Sequence, residues 1–298
     1  MNILVTGGTV FASRYTAEYF RDKGHNVYVL NRGNLPQSEG VTHIKCDRRN
    51  LGDTLKCYSF DTILDIATYN EQDLKLLLDA LGEFKHYIFI STSAVYPETA
   101  PMPFNEEEKM GANKFWGSYC LNKIAAEKLL NKEVPDAYIL RPSYLHGKMN
   151  ILYREAFAFE CAEKDRVFCV PEDGSLPMQF FDIKDMCAFM EILLEKLPEQ
   201  KVYNVGNPKP ITINEWVKVC YKVLGKEPKI KYINNETSWL NYFPFANYPC
   251  FVDVTKMLEL MPKLTPFEEG IRESYEWYKN NKELIKVKPY IEFIEENL

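Results

Sequence analysis

Three short motifs in this 298-residue chain carry side chains that could do chemistry. In Ser118-Tyr119-Cys120-Leu121-Asn122-Lys123, a tyrosine and a lysine four positions apart fall on one face of a predicted helix, one turn apart. A lysine ammonium so placed can lower a phenol from about 10 toward neutrality, which lets Tyr119 take or give a proton beside a hydride acceptor. Phe89-Ile90-Ser91-Thr92-Ser93-Ala94-Val95-Tyr96 ends a predicted strand in hydroxyls, and a hydroxyl there can hydrogen-bond both a substrate carbonyl and the tyrosine. Thr6-Gly7-Gly8-Thr9-Val10-Phe11 joins the first strand to the first helix, where glycines permit a tight turn and turn backbone N–H groups toward a pyrophosphate. Each motif alone has a plainer reading: a half-exposed tyrosine on an amphipathic helix, ordinary turn chemistry, a structural strand-to-helix turn.

The elements that must position these residues alternate. Ile3-Leu4-Val5, Val27 to Leu30, Ile63 to Ile66, Tyr87 to Ile90 and Tyr138 to Leu140 read as strands, with helical stretches over 14–23, 71–81 and 118–131 between them. The strands are apolar on both faces, so the expected fold is α/β, a doubly wound parallel sheet of Rossmann type. Beyond Arg141 the alternation loosens, and a smaller C-terminal part is expected to close over the sheet. We place the dinucleotide-binding domain at 1–165 and the substrate-binding part at 166–298, with a late strand near 202–205 able to return to the main sheet.

Composition excludes several classes. A hydrophobic content of 46% with 26% charged residues is that of a globular chain. A net charge of −6 argues against a nucleic-acid partner, because phosphate neutralisation needs concentrated Lys and Arg. Eight scattered cysteines form no CxxC pair, the four histidines show no ligand spacing, and no metal site is expected. No apolar run is long enough for a membrane span and no signal peptide is evident, so a cytoplasmic protein is expected. Only nine arginines occur, and after Arg166 the only one is Arg272.

Taken in order, the motifs make the chain resemble the extended short-chain dehydrogenase/reductases, the NAD-dependent epimerase/dehydratase family. The resemblance rests on Thr6-Gly7-Gly8, Asp47, Ser91 to Tyr96, Pro103 to Glu106, Tyr119 with Lys123, Leu140-Arg141-Pro142, Phe181 to Asp185 and Tyr203 to Gly206. It implies a sheet in the order 3-2-1-4-5-6-7, with Tyr119 as catalytic acid/base, Thr92 as the catalytic hydroxyl and Lys123 as a ribose ligand that also tunes Tyr119. It further implies cofactor contacts from Gly7, Gly8, Thr9, Val10, Phe11, Asn31, Arg32, Asp47 and Ala67, and a homodimer packed through the Tyr119 helix. Ser93, Ser143 and His146 are expected near a sugar-like substrate.

Asn31-Arg32 ends the second strand where an acidic side chain would bind the ribose of NAD, and Arg32 can pair with a 2′-phosphate, so NADP is favoured over NAD. Val10 and Ser13 stand where the usual glycine spacing wants glycine, and Ser93-Ala94 stands where dehydratases place Asp-Glu, which disfavours elimination of water. Met178 falls where nucleotide-sugar members carry a diphosphate-clamping arginine. Arg272 reads as a structural residue of a helix, Glu106 to Glu108 as a solvated loop, and the aromatic run Trp239, Tyr242, Phe243, Phe245 and Tyr248 as core or interface. The expected activity is that of an NAD(P)-dependent oxidoreductase or isomerase, an epimerase or reductase acting on a sugar or sugar-nucleotide hydroxyl or ketone. The alternative is a nucleotide-sensing or RNA-associated binding protein that keeps the fold without the sugar chemistry.

Overall fold

The computed structural model describes residues 1–298. Thirteen strands, β1 (Asn2–Thr6), β2 (Asn26–Asn31), β3 (Thr42–Lys45), β4 (Thr62–Asp65), β5 (His86–Ile90), β6 (Tyr138–Pro142), β7 (Tyr144–His146), β8 (Phe168–Pro171), β9 (Pro177–Met178), β10 (Phe180–Asp182), β11 (Val202–Val205), β12 (Ile211–Thr212) and β13 (Ile230–Ile233), alternate with nine helices. The helices are α1 (Phe11–Asp22), α2 (Glu71–Ala80), α3 (Ser118–Glu133), α4 (Glu155–Glu163), α5 (Ile183–Lys196), α6 (Ile213–Lys222), α7 (Thr255–Leu260), α8 (Phe267–Lys279) and α9 (Tyr290–Asn297).

Seven strands form one parallel sheet in the order β11-β6-β5-β4-β1-β2-β3, which is the expected 3-2-1-4-5-6-7 with β11 as the seventh strand. The strand at 202–205 does return to the main sheet, pairing Val202 with Ile139 and Val205 with Pro142. Successive strand residues point to opposite faces, and here both faces are apolar. Ile3, Val5, Val27, Val29 and Leu64 face one core with Ala17 and Phe20 of α1 and Met186 and Phe189 of α5. Leu4, Leu30, Ile63 and Tyr87 face the other, with Leu74 and Leu77 of α2 and Ala126 and Leu130 of α3.

A third core gathers the C-terminal aromatics, including Trp216, Trp239, Tyr242, Phe243 and Phe245, with α4, α6 and α8 around it. The packing is interleaved along the chain: α4 belongs to this third core, whereas α5, β11 and α7 contribute to the sheet. Three helix starts, those of α2, α5 and α6, are capped by short polar side chains. Asn70 accepts the Asp73 N–H at 2.8 Å, Asp182 accepts the Lys184 N–H at 2.8 Å, and Thr212 forms a reciprocal box with Glu215.

Two local expectations are corrected. The first helix starts at Phe11 rather than Arg14, because the glycine turn is complete by Val10 and Phe11 takes a left-handed φ of 34° to enter the helix directly. Glu106 is not solvated: its carboxylate accepts the Asn204 N–H at 2.9 Å and so satisfies a donor on the edge strand β11.

Candidate active site

The cofactor end of the site is built from the turn after β1. Gly7 and Gly8 have φ of 92° and 87°, where a side chain is strained. A Cβ on Gly8 would stand 2.6 Å from Val29 Cβ, and one on Gly7 would stand 2.8 Å from Ser13 Oγ and 3.3 Å from Ala67 Cβ. Ser13 thus occupies space that Gly7 leaves open, and its hydroxyl returns to the Val10 carbonyl at 2.9 Å. The close approach that a glycine at position 13 would give is supplied from Gly7 instead. Thr6 Oγ1 ties the turn to the end of β4 by accepting the N–H groups of Ile66 and Ala67 and donating to buried Asp65 at 2.7 Å.

A cavity of about 370 Å³ opens beside this turn, lined among others by Gly7, Asn31, Arg32, Asp47 and Ala67. It lies at the carboxyl ends of β1, β2 and β4, where the strand order reverses, the place at which open α/β sheets bind ligands. Asn31 is held in the loop, donating to Gly7 O at 2.7 Å and accepting from Gly33 N at 2.9 Å. Asp47 caps a short turn through the Arg49 N–H at 2.9 Å. Arg32 is exposed on the rim with no ion pair or hydrogen bond from its side chain. Two further arginines line the same wall and were not singled out from the sequence: Arg48, anchored on Ala67 O at 2.6 Å, and Arg49, 3.7 Å from Asp73. The Arg48-Arg49 pair just after Asp47 was the signal available. Gly8, Thr9 and Val10 complete the turn without lining the cavity. The donor set fits a dinucleotide: Gly7 opens the turn onto the cavity, and Arg32, Arg48 and Arg49 line its wall with cationic groups suited to a phosphate.

A second cavity, of about 510 Å³, meets the first at Tyr69, which lines both. Here the structure brings together Thr92, Ser93, Tyr119, Lys123 and Ser143, with Phe11 on the near wall. Thr92 follows β5 and accepts the Ala94 N–H at 3.2 Å, which fixes its hydroxyl at the cavity. Tyr119 and Lys123 lie one turn apart on α3, Tyr119 open to the cavity and Lys123 buried below it. Lys123 Nζ donates to the carbonyls of Ile90 at 2.6 Å and Thr68 at 2.8 Å and sits 4.2 Å from the Phe89 ring centroid.

These surroundings act on both members of the Tyr119–Lys123 pair. Burial pushes the Tyr119 phenol above its ordinary value; Thr92 and the positive charge of Arg154 act the other way and do not overcome it. Burial also lowers Lys123 to about 8. The lysine's hydrogens are directed at the backbone carbonyls of Ile90 and Thr68, and none reaches the Tyr119 hydroxyl.

Two further expectations change. His146 does not reach the cavity: it is 1% exposed, packed edge-on against Phe180 and Phe267, and neither ring nitrogen has a hydrogen-bond partner. That burial lowers it to about 4, leaving it neutral. Its β7 neighbours Tyr144 and Leu145 both line the cavity. Ser143 Oγ, by contrast, lies at the cavity wall and is buried without a partner. Met178 is 1% exposed within the aromatic core. Arg154, which sequence reasoning passed over, lines the second cavity, its guanidinium 5.0 Å from the Tyr144 ring centroid and 5.4 Å from that of Phe245. Arg272 is structural, pairing with Glu268 at 2.9 Å.

The sequence profile of the NAD dependent epimerase/dehydratase family matches residues 3–206. A chloroplast stem-loop binding protein of 41 kDa (b) from Arabidopsis thaliana is 26% identical, the match covering 92% of this chain and 78% of that protein. A trifunctional UDP-glucose 4,6-dehydratase/UDP-4-keto-6-deoxy-D-glucose 3,5-epimerase/UDP-4-keto-L-rhamnose-reductase from the same plant is 24% identical over 76% of this chain, which spans only 34% of that protein. Among solved structures, dTDP-glucose 4,6-dehydratase from Bacillus anthracis in complex with NAD superposes with a TM-score of 0.78 at 20% identity, covering 96% of this chain and 99% of that one.

Proposed function

This chain belongs to the NAD dependent epimerase/dehydratase family, and on that premise we propose that it is an epimerase or reductase acting on a hydroxyl or ketone of a sugar nucleotide, with Tyr119 as its acid/base. The observation that carries the reading is the convergence of Thr92, Tyr119 and Lys123 on one cavity that adjoins the Gly7 turn across Tyr69. A dinucleotide would be held by Gly7, Phe11, Arg32, Asp47 and Ala67, and its nicotinamide would supply the hydride. The protein's own part is to manage the proton. Tyr119 donates its phenolic hydrogen to the substrate oxygen in the reducing direction and is left as tyrosinate; in the oxidising direction the tyrosinate takes the proton from the substrate hydroxyl. Thr92 hydrogen-bonds the same oxygen, and Lys123 keeps a positive charge beneath both.

Arg32, Arg48 and Arg49 on one wall, with no carboxylate at the end of β2, support NADP as the preferred dinucleotide. Ser93-Ala94 supplies no acid and base for eliminating water, so epimerisation or reduction is favoured over dehydration. The likeness to a stem-loop binding protein gives RNA association a second hearing, and the charge of −6 weighs against it.

The test is Tyr119→Phe, assayed by chromatographic product analysis on UDP- and dTDP-sugars with either dinucleotide. Turnover should fall at least 100-fold while dinucleotide affinity, measured by calorimetry, stays within about threefold, since the phenol is a transition-state partner and not the cofactor cradle. Unchanged turnover refutes the assignment, and salt-dependent RNA binding by a wild-type protein without turnover replaces it with the second reading.

A further inference from the structure

Seven of the nine arginines have an anionic or carbonyl partner: Arg14, Arg21, Arg49, Arg141, Arg166 and Arg272 pair with carboxylates, and Arg48 with Ala67 O and Thr68 Oγ1. The side chains of the other two, Arg32 and Arg154, make no hydrogen bond or ion pair, and each lines one of the two adjoining cavities. Arg32 belongs to the cofactor reading above. Arg154 does not, because it stands on the Tyr119 side.

We infer that Arg154 is the residue that binds an oxyanion of the substrate and so takes the place of the clamp that Met178 cannot supply. Arg154 sits immediately before α4, and its planar guanidinium lies over Tyr144 and Phe245. The aromatic faces fix the plane of the fork without consuming its N–H groups, which leaves the five donors free for a ligand. The charges around the cavity agree. Its lining holds two cations and no carboxylate, and one of the cations, Lys123, is already engaged with two backbone carbonyls. The uncompensated charge facing Tyr119 and Thr92 is therefore that of Arg154. A half-buried, preoriented and unpaired guanidinium in a cavity of about 510 Å³ is complementary to a bidentate anion, a sugar carboxylate or a phosphate. Buried Glu155, next in sequence, is held by Asn150 at 3.0 Å and makes no ion pair with Arg154.

This inference rests on the sugar-nucleotide reading, and the experiment separates the two. Wild-type protein, Arg154→Gln and Arg154→Lys are titrated by calorimetry with UDP, UDP-glucose and UDP-glucuronate in the presence of saturating dinucleotide, with dinucleotide affinity itself as the control for folding. Arg154→Gln should lose roughly 10- to 100-fold in affinity, and Arg154→Lys should recover part of it because it restores charge but not the fork. A loss confined to UDP-glucuronate identifies a carboxylate, whereas an equal loss for all three probes identifies a phosphate; both uphold the assignment. Wild-type affinity retained by Arg154→Gln for every probe overturns it and leaves the sugar-nucleotide reading standing. A parallel loss of dinucleotide affinity also overturns it, and failure of the wild-type protein to bind any probe overturns both.

Discussion

The helix that carries Tyr119 and Lys123 is fastened to the sheet by one buried ion pair, and breaking it should be expensive. Glu127 on α3 is 0% exposed and Arg141 on β6 is 4% exposed. Arg141 Nη2 donates to Glu127 Oε2 at 2.6 Å and Nε reaches the same carboxylate at 3.1 Å, while Ser91 donates to its other oxygen. On its far side Arg141 Nη1 donates to Tyr96 OH at 2.8 Å, and Tyr96 donates on to Asn204 Oδ1 at 2.7 Å. Glu127→Gln keeps the shape and removes the charge, leaving a guanidinium out of water with only neutral acceptors. Breaking one side of a buried pair costs about 3–5 kcal/mol, and the Tyr96 and Glu106 acceptors that remain to Arg141 place this case near about 3 kcal/mol. With a urea m-value of about 3 kcal/mol/M, the midpoint should fall by about 1 M. Replacing both partners with methionine should cost less than the sum of the single replacements, with a coupling on the order of 2 kcal/mol. Urea unfolding followed by circular dichroism and tryptophan fluorescence measures wild type, Glu127→Gln, the two single methionine variants and the double variant. A cost below about 1 kcal/mol for Glu127→Gln, or strict additivity in the cycle, would refute the reasoning.

The glycine cradle makes a second stability prediction: Gly8→Ala should destabilise by roughly 2–4 kcal/mol, part from a side chain at positive φ and part from collision with Val29. Val29→Ala added to it should restore only the collision part, and a Gly8→Ala variant within about 0.5 kcal/mol of wild type contradicts the cradle geometry. Lys123 makes a pH prediction. Its folded value of about 8 lies below its ordinary 10.5, so between these pH values the unfolded chain binds the extra proton and stability rises with pH, by roughly 3 kcal/mol in all. That rise should vanish in Lys123→Met, and equal urea midpoint changes between pH 7.5 and pH 10 in the two proteins would exclude it.

Six of the seven strands of the sheet were legible because each carries an apolar run, including the return at Val202–Val205, whereas the edge strand β3 buries only Ile44 and gives no such run. Thr92, Tyr119 and Lys123 were legible because the fold order brings a strand end and a helix face to one place. What the sequence did not reveal depends on where side chains end in space. Arg154 and Met178 show this most directly: a count of arginines along the chain located a missing charge, but only the packing of Tyr144 and Phe245 shows that Arg154 stands at the cavity. His146 failed as a substrate residue because its ring packs under α8 against Phe267, while Tyr144 and Leu145 before it on the same short strand line the site. The four-residue spacing places Tyr119 beside Lys123 but says nothing about the carbonyls of Ile90 and Thr68 that occupy the lysine's hydrogens.

The interleaving of the cores bears on how such a protein can be divided. A fragment ending near residue 165 would keep the turn, Tyr119 and Lys123, yet it would lack β11 and leave the backbone of β6 as an open edge able to pair with other chains. It would also lose Met186, Phe189, Met190 and Leu193 from one face of the sheet. The complementary fragment would lose Phe157 and Phe159 from its aromatic interior. The sheet face that carries Tyr119 and the pocket above it are therefore inherited as one cooperative unit, and neither half can be exchanged between relatives at a single crossover without repacking the other.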